Sequence, residues 1–249
     1  MSRYRAAALH LLISGAVIAG LLGIAVALWY PGAFFSGLGG AHLVATLGMV
    51  DICLGPLITL IIFDTRKPKL RYDLATVALV QAAALAYGGW VMFEARPVYS
   101  VFIKDVFKVA RANELEEAEL AQASRPEFAR RPIDGPRFVA SRLPASREEV
   151  ERLLFAGVTQ GIDLHQLPRY YIPYAEARQE ILAAARPLGG PRGVLAGDRS
   201  GALAAALKSS GRKPESVRYL PLLGTRHEMS VLVDAASGEV VDVVDAAVD

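Results

Sequence analysis

The sequence contains a single cysteine, Cys53, so no disulfide can form within the chain. Acidic side chains are scarce in the first 93 residues, where only Asp51, Asp64 and Asp73 occur. Six basic side chains accompany them (Arg3, Arg5, Arg66, Lys67, Lys69, Arg71), which gives that part a charge of +3. The remainder holds 21 basic and 22 acidic side chains, a charge of −1 with both signs interspersed. Nothing resembles the basic stripe that neutralises phosphates, so nucleic acid is not an expected partner. The four histidines (His10, His42, His165, His227) are scattered, and no H-x-x-x-H or C-x-x-C spacing offers a metal site. No G-x-S-x-G elbow, Walker loop or G-x-G-x-x-G is present either. The expectation is a protein without catalytic residues, metal or cofactor.

What the sequence has instead is long apolar runs. Hydrophobic residues make up 53% of the chain and are concentrated before residue 94. A membrane-spanning helix needs about 20 mostly apolar residues. Residues 7–30, 41–63 and 74–93 each meet that requirement. The connecting segments are short: residues 31–40 (PGAFFSGLGG) carry no charge, and residues 64–73 (DTRKPKLRYD) carry four basic groups. The "AVA" at 25–27 would suit signal-peptide cleavage, but the apolar run continues through Leu28 and Trp29, so an uncleaved anchor is expected.

Basic loops stay on the cytoplasmic side. The N-terminus and the loop 64–73 are therefore expected inside, and the large C-terminal part outside. Aromatic residues agree with this orientation. Trp29, Tyr30, Phe34, Phe35, Trp90 and Phe93 fall at the expected outer ends, with Tyr4, Phe63 and Tyr72 at the inner ones.

Small residues recur every four positions on the first span (Gly15, Ala19, Gly23, Ala27) and on the third (Ala78, Ala82, Ala86). Such ridges let helices approach closely in lipid, where no hydrophobic drive brings them together. They are expected either to pack the three spans on one another or to receive another protein's membrane helix. On the second span Ala41, Gly48, Asp51, Gly55 and Thr59 share one face. An aspartate in mid-span costs about 2.5–3.5 kcal/mol on an insertion scale, so it should be paired or turned inward. Hydrocarbon disfavours its charged form, so a neutral carboxyl that donates a hydrogen bond is expected. Pro56 lacks an N–H and frees the carbonyl of Ile52. Gln81 on the third span and His10 or Ser14 on the first are candidate neighbours for the acid.

Beyond residue 93 the composition becomes that of an ordinary globular domain. An extended stretch at 98–103, a turn at Lys104-Asp105 and a strand at 106–110 are expected, followed by a helix capped by Asn113 with Glu116. Residues 125–137, with three prolines and a glycine, read as loop. Ser146 with Glu149 opens a helix whose apolar positions are Val150, Leu153, Leu154 and Val158. Further helices are expected at about 175–186 and 199–209, the latter stopping at Gly211. "MSVLVDAASGEVVDVV" sets two β-rich runs about a Ser237-Gly238 turn. The tyrosines of "PRYYIPY" (168–174) are expected to pack their own loop on the core rather than form an exposed patch. The whole reads as a three-helix transmembrane domain at 1–93 and an α+β domain at 94–249 that ends in a β-hairpin.

The order of segments resembles a known family. A basic start with "HLLIS", the turn "WYPG", then "VDICLGPLITLIIF", a basic loop before "DLATVALVQAAALAYG", and "RPVYSVF" after the third span are similar to type IV pilin accessory proteins of Gram-negative bacteria. The C-terminal "RYLPL" and "VLVDAASGEVV" extend the likeness over essentially the whole chain. The resemblance implies a multi-pass inner-membrane protein with a periplasmic domain, needed for type IV pilus assembly or for handling a matching major pilin. It implies no catalytic residue; Asp51, Gly55 and Pro56 occupy the family's second-span pattern. The expected partners are thus the major pilin or the pilus assembly machinery, together with the lipid bilayer. The face formed by Gly48, Asp51, Gly55, Pro56 and Thr59 is the expected contact, and Gly15, Ala19, Gly23, Ala78, Gln81, Ala82 and Ala86 the helix-packing positions. The alternative is a membrane-anchored sensor or transport component working through Asp51.

Overall fold

The computed structural model describes residues 2–189 and 201–246. The chain divides into two units, a helical one of Met1–Ala27 and Gly40–Glu94, and a sheet unit of Leu28–Gly39 and Ala95–Asp249. The chain thus leaves the helical unit, contributes twelve residues to the sheet unit, and returns.

In the helical unit α1 (Arg3–Ile24) starts at Ser2, whose hydroxyl accepts from the Arg5 amide at 3.4 Å, and runs on through a π turn at Ala25–Trp29. The short α2 (Ala33–Gly37) belongs to the sheet unit. The second span is built from α3 (Gly40–Gly48), a π segment at Met49–Leu54, and α4 (Gly55–Ile62). Pro56 accounts for this break: it cannot donate, and its ring displaces the carbonyl one turn earlier, so the preceding turn widens. The third span is α5 (Leu70–Glu94). Three helices, Arg3–Trp29, Gly40–Ile62 and Leu70–Glu94, are long and apolar enough to cross a membrane. Their outer surfaces carry Leu12, Ile61 and Leu79 at 70–71% exposure, a cost in water that lipid removes. The protein is a membrane protein with a mixed α+β unit after its spans.

The sheet unit is one mixed sheet of eight strands. They are β1 (Pro97–Ile103), β2 (Val106–Arg111), β3 (Arg137–Ser141), β4 (Tyr171–Pro173), β5 (Arg186–Pro187), β6 (Val217–Leu223), β7 (Glu228–Asp234) and β8 (Val240–Val244). Their order is β4-β3-β1-β2-β6-β7-β8, with β5 also on β6. The pairs β1–β3 and β2–β6 are parallel; the others are antiparallel. Every residue of β1 is buried, as befits a central strand covered on both faces. Phe102, Phe107, Val231 and Val233 pack on one face with Ile181 of α8 (Arg178–Ala184). Tyr99, Val101, Phe128 and Tyr171 pack on the other, and Leu203 of the last helix, α9 (Ala202–Ser210), covers Tyr219 and Leu232. The alternation follows the period of two along a strand.

Phe34, from the segment between the first two spans, belongs to this core at 3% exposure. Two backbone bonds tie the segment down: the Arg226 amide donates to the Gly37 carbonyl at 3.0 Å, and the Gly135 amide to the Leu28 carbonyl at 3.2 Å. Tyr30 and Phe34 are therefore core residues here and not part of an exposed aromatic belt.

Several local expectations are met. Lys104 takes a positive φ of 59° in the β1–β2 turn, Ser146 caps α7 (Arg147–Gln160) by accepting from the Glu149 amide, and β7–β8 form the terminal hairpin. Tyr171 is fully buried, and Tyr174 Oη donates to the Gly238 carbonyl at 2.6 Å, so the tyrosine-rich loop does pack on its own core. Others differ. No helix is capped by Asn113: Glu114 turns back to the Arg111 amide at 2.9 Å, closing a 3-10 turn, and α6 (Glu117–Leu120) is one turn long. β3 and β6 occupy stretches that carried no strand expectation. The helix expected at 175–186 opens as a 3-10 turn at Tyr174–Ala177 and ends at Ala184, before β5. α9 stops at Gly211 (φ 65°), while positions 199 and 200 of its expected start lie outside the described residues.

Candidate functional site

The buried polar residues of the helical unit lie close together on the second span. Asp51 sits on the π segment of the second span and is 5% exposed. Nε2 of Gln81, from the third span, donates to its Oδ1 at 3.2 Å. Gly55 makes this possible: a Cβ there would stand 2.1 Å from Gln81 Nε2. One turn further, Thr59 is 3% exposed and shares a 2.6 Å hydrogen bond with Nδ1 of His10 on α1. Two interhelical polar pairs therefore tie the second span to its neighbours. Oε1 of Gln81 is buried without a partner among the described residues.

These residues form the floor of a groove of about 430 Å³ between α1 and α5. His10, Ile13 and Ser14 line one side, Ala78, Gln81 and Ala82 the other, with Asp51 and Thr59 between them. Magnitudes bear on why an acid stands there. An aspartate in mid-span costs about 2.5–3.5 kcal/mol, whereas an interhelical hydrogen bond in a membrane contributes about 0.6 and at most about 1.7 kcal/mol. The Gln81 bond leaves Asp51 a net cost to the bundle. Polar groups retained at such a cost inside a membrane mark function more often than stability.

Of the neighbours the sequence offered Asp51, Gln81 is the one that bonds it. His10 bonds Thr59 instead, and Ser14 lines the groove. Gly48 and Pro56 are half-buried on the same span, and a Cβ at Gly48 would meet only Ile52 of its own helix, at 3.9 Å. The small-residue ridge of α1 has no close neighbour among the described residues at its glycines. Ala19 and Gly23 are exposed, and a Cβ at Gly15 or Gly23 would meet nothing within 4 Å. The buried stripe of α1 runs through Ala6 and Ile18, with His10 and Ser14 at matching four-residue steps. Positions 15, 19 and 23 are rotated from it by one residue, about 100°. On α5, Ala78 and Ala82 face the groove, while Ala86 is exposed and absent from its lining.

The sheet unit holds a second polar cluster. Lys108 pairs with Asp163, and Nδ1 of His165 lies 3.7 Å from the same carboxylate, too far for a hydrogen bond. Burial pushes the His165 pKa below 6.5, against the pull of Asp163 and Glu114. Burial alone would raise the Asp163 pKa, but Lys108 and His165 outweigh it and hold it below 3.8. Among the described residues no three His, Cys, Asp or Glu side chains gather as a metal site.

No family model matches the sequence, and no solved structure does. Similarity to individual proteins is nonetheless extensive. The chain is 30% identical over 233 residues to the fimbrial assembly protein of serogroup I from Dichelobacter nodosus, covering 91% of this chain and 88% of that protein. This chain belongs to the fimbrial assembly proteins. The serogroup E1 protein of the same organism is 29% identical over the same shares. That of serogroups C1 and C2 is 31% identical over 117 residues, 46% of this chain and 89% of that protein. The likeness to the first two fimbrial assembly proteins runs through both units, membrane helices and sheet alike.

Proposed function

We propose that this protein is a non-enzymatic, inner-membrane accessory factor that holds the major pilin of a type IV pilus during fimbrial assembly. In this reading the N-terminus and the basic loop 64–73 face the cytoplasm and the sheet unit faces the periplasm. The positive-inside distribution supports the orientation, and membership of the fimbrial assembly proteins supports the pathway.

The observation that carries the reading is the groove. A fimbrial subunit waiting in a membrane presents an apolar helix with a globular head outside. The groove between α1 and α5 has apolar rims, alanines that permit close approach, and a polar floor at Asp51 and Gln81. The sheet unit offers a second contact to the head, and two linked contacts raise avidity beyond either alone. The scattered histidines and the lack of a nucleophile motif support a holding role over a chemical one.

The test is photo-crosslinking in membranes from the groove rim, at Ile13 and Ala78, compared with Leu79 on the lipid-facing side. Capture of the major pilin from the rim positions alone is the expected result. Absence of any pilin adduct, together with normal fimbriation in a deletion strain, would remove the reading.

A further inference from the structure

The helical unit has a second concave site, at the end where α1 begins and α4 ends. A cup of about 500 Å³ is lined there by Arg3, Arg66 and Lys67, with Asp64 as its one carboxylate. Asp64 is engaged locally, since its Oδ1 accepts from the Arg66 amide at 2.9 Å. Neither guanidinium has a carboxylate within ion-pair distance among the described residues. Lys67 Nζ donates to the Ile62 carbonyl at 3.3 Å, which fixes it over the end of α4. The cup therefore carries two more positive charges than negative ones.

Its remaining lining is mixed. Ile61 and Phe63 form an apolar wall continuous with the spans, and Tyr4 presents a phenol at 71% exposure. Basic groups next to hydrocarbon-facing side chains, with an amphipathic aromatic at the rim, match a molecule with a phosphate, a glycerol and acyl chains. A free phosphate would use the cations and leave the apolar wall without a role. We infer that this cup binds the headgroup of an anionic phospholipid, with its phosphate between Arg3 and Arg66 and its first acyl carbons along Ile61 and Phe63. The cup adjoins the groove at Phe63, which lines both, but its charged residues lie outside the groove, and it needs only that the spans lie in a bilayer.

The full-length protein, purified in detergent, is titrated with nanodiscs of phosphatidylcholine alone or with one-fifth phosphatidylglycerol, and retained lipid is counted by native mass spectrometry. One tightly held phosphatidylglycerol per chain is expected. Arg3→Gln with Arg66→Gln should weaken its retention about thirty-fold, as two near-surface cations lost would do. The pair Arg3→Lys with Arg66→Lys keeps charge and should retain most of it, which also shows that the fold survives. Lys69→Gln with Arg71→Gln, outside the cup, removes the same charge and should cost far less. Equal losses from the two neutralised pairs would mean diffuse attraction and overturn the site. Displacement by millimolar glycerol 1-phosphate would also overturn it, in favour of a free phosphate.

Discussion

Nε2 of Gln81 reaches Oδ1 of Asp51 at 3.2 Å across the space that a side chain at position 55 would occupy. The glycine thus acts through its neighbour and not through its backbone freedom. Gly55→Ala should push the Gln81 amide off the acid and cost about 1 kcal/mol, the scale of an interhelical bond in a membrane. In a Gln81→Ala background the same change should cost almost nothing, because the obstructing amide is gone. Thermal unfolding of the four proteins in detergent closes this cycle. Equal costs in the two backgrounds would mean that Gly55 matters for some other contact.

Acidification should loosen the sheet unit through His165. Burial makes its ring harder to protonate in the folded protein than in the unfolded chain, which takes up a proton below the ordinary value of 6.5. This contribution to stability is therefore complete above that pH and is lost as pH falls below 6.5. The paired Asp163 adds its own loss only below 3.8. His165→Phe keeps an apolar ring, removes a buried nitrogen that lacks a partner, and should flatten the pH dependence. Hydrogen exchange in β1 and β2 of the full-length protein at pH 7 and pH 5 reads the effect.

Phe34 ties the segment between the first two spans to the sheet. Phe34→Ala should cost the sheet unit about 3–5 kcal/mol, as a buried phenylalanine does. A fragment of residues 95–249 lacks this side chain and the Gly37 carbonyl that the Arg226 amide uses. It should exchange faster and bind an apolar dye more than the same fragment extended by a tethered 28–39 segment. Identical behaviour of the two fragments would show that the segment is a passenger.

The sequence announces some of this architecture and hides the rest for identifiable reasons. Membrane spans are legible because run length is enough to signal them, and the pairing of Asp51 is legible because a mid-span acid must find a hydrogen-bonding neighbour. The Ser146 cap and the terminal hairpin depend on residues a few positions apart. β6 is hard to read from sequence because Pro221 interrupts it. In the sheet that proline falls between the residues paired with β5 (218 and 219) and those paired with β2 (222 and 223), so its missing N–H costs no bond to either strand. The role of 28–39 was hidden because an uncharged loop between spans carries no mark of long-range packing. Of the two uses expected of the ridge at Gly15, Ala19 and Gly23, its open surroundings favour reception of another protein's membrane helix over packing of the chain's own spans: spacing shows that residues share a face, and not which face its own neighbours use.

α7 makes the same point in water. Its apolar residues at 150, 153, 154 and 158 have the spacing of a core-facing helix, yet the helix buries no residue. Leu154, Phe155 and Val158 are 66%, 70% and 88% exposed. Because little area is withdrawn from water, each of Leu154→Ser, Phe155→Ser and Val158→Ser should change stability by no more than about 0.5 kcal/mol. Tyr171→Ala, by contrast, empties a fully buried site packed edge-on against Tyr99 and Phe128, and should cost about 3–5 kcal/mol as loss of a large aromatic does. Denaturant unfolding of the four variants separates a helix that supports the fold from one displayed on it. A cost above about 2 kcal/mol for any α7 serine variant would mean that the helix is covered in the folded protein, because exposed positions do not reach that value.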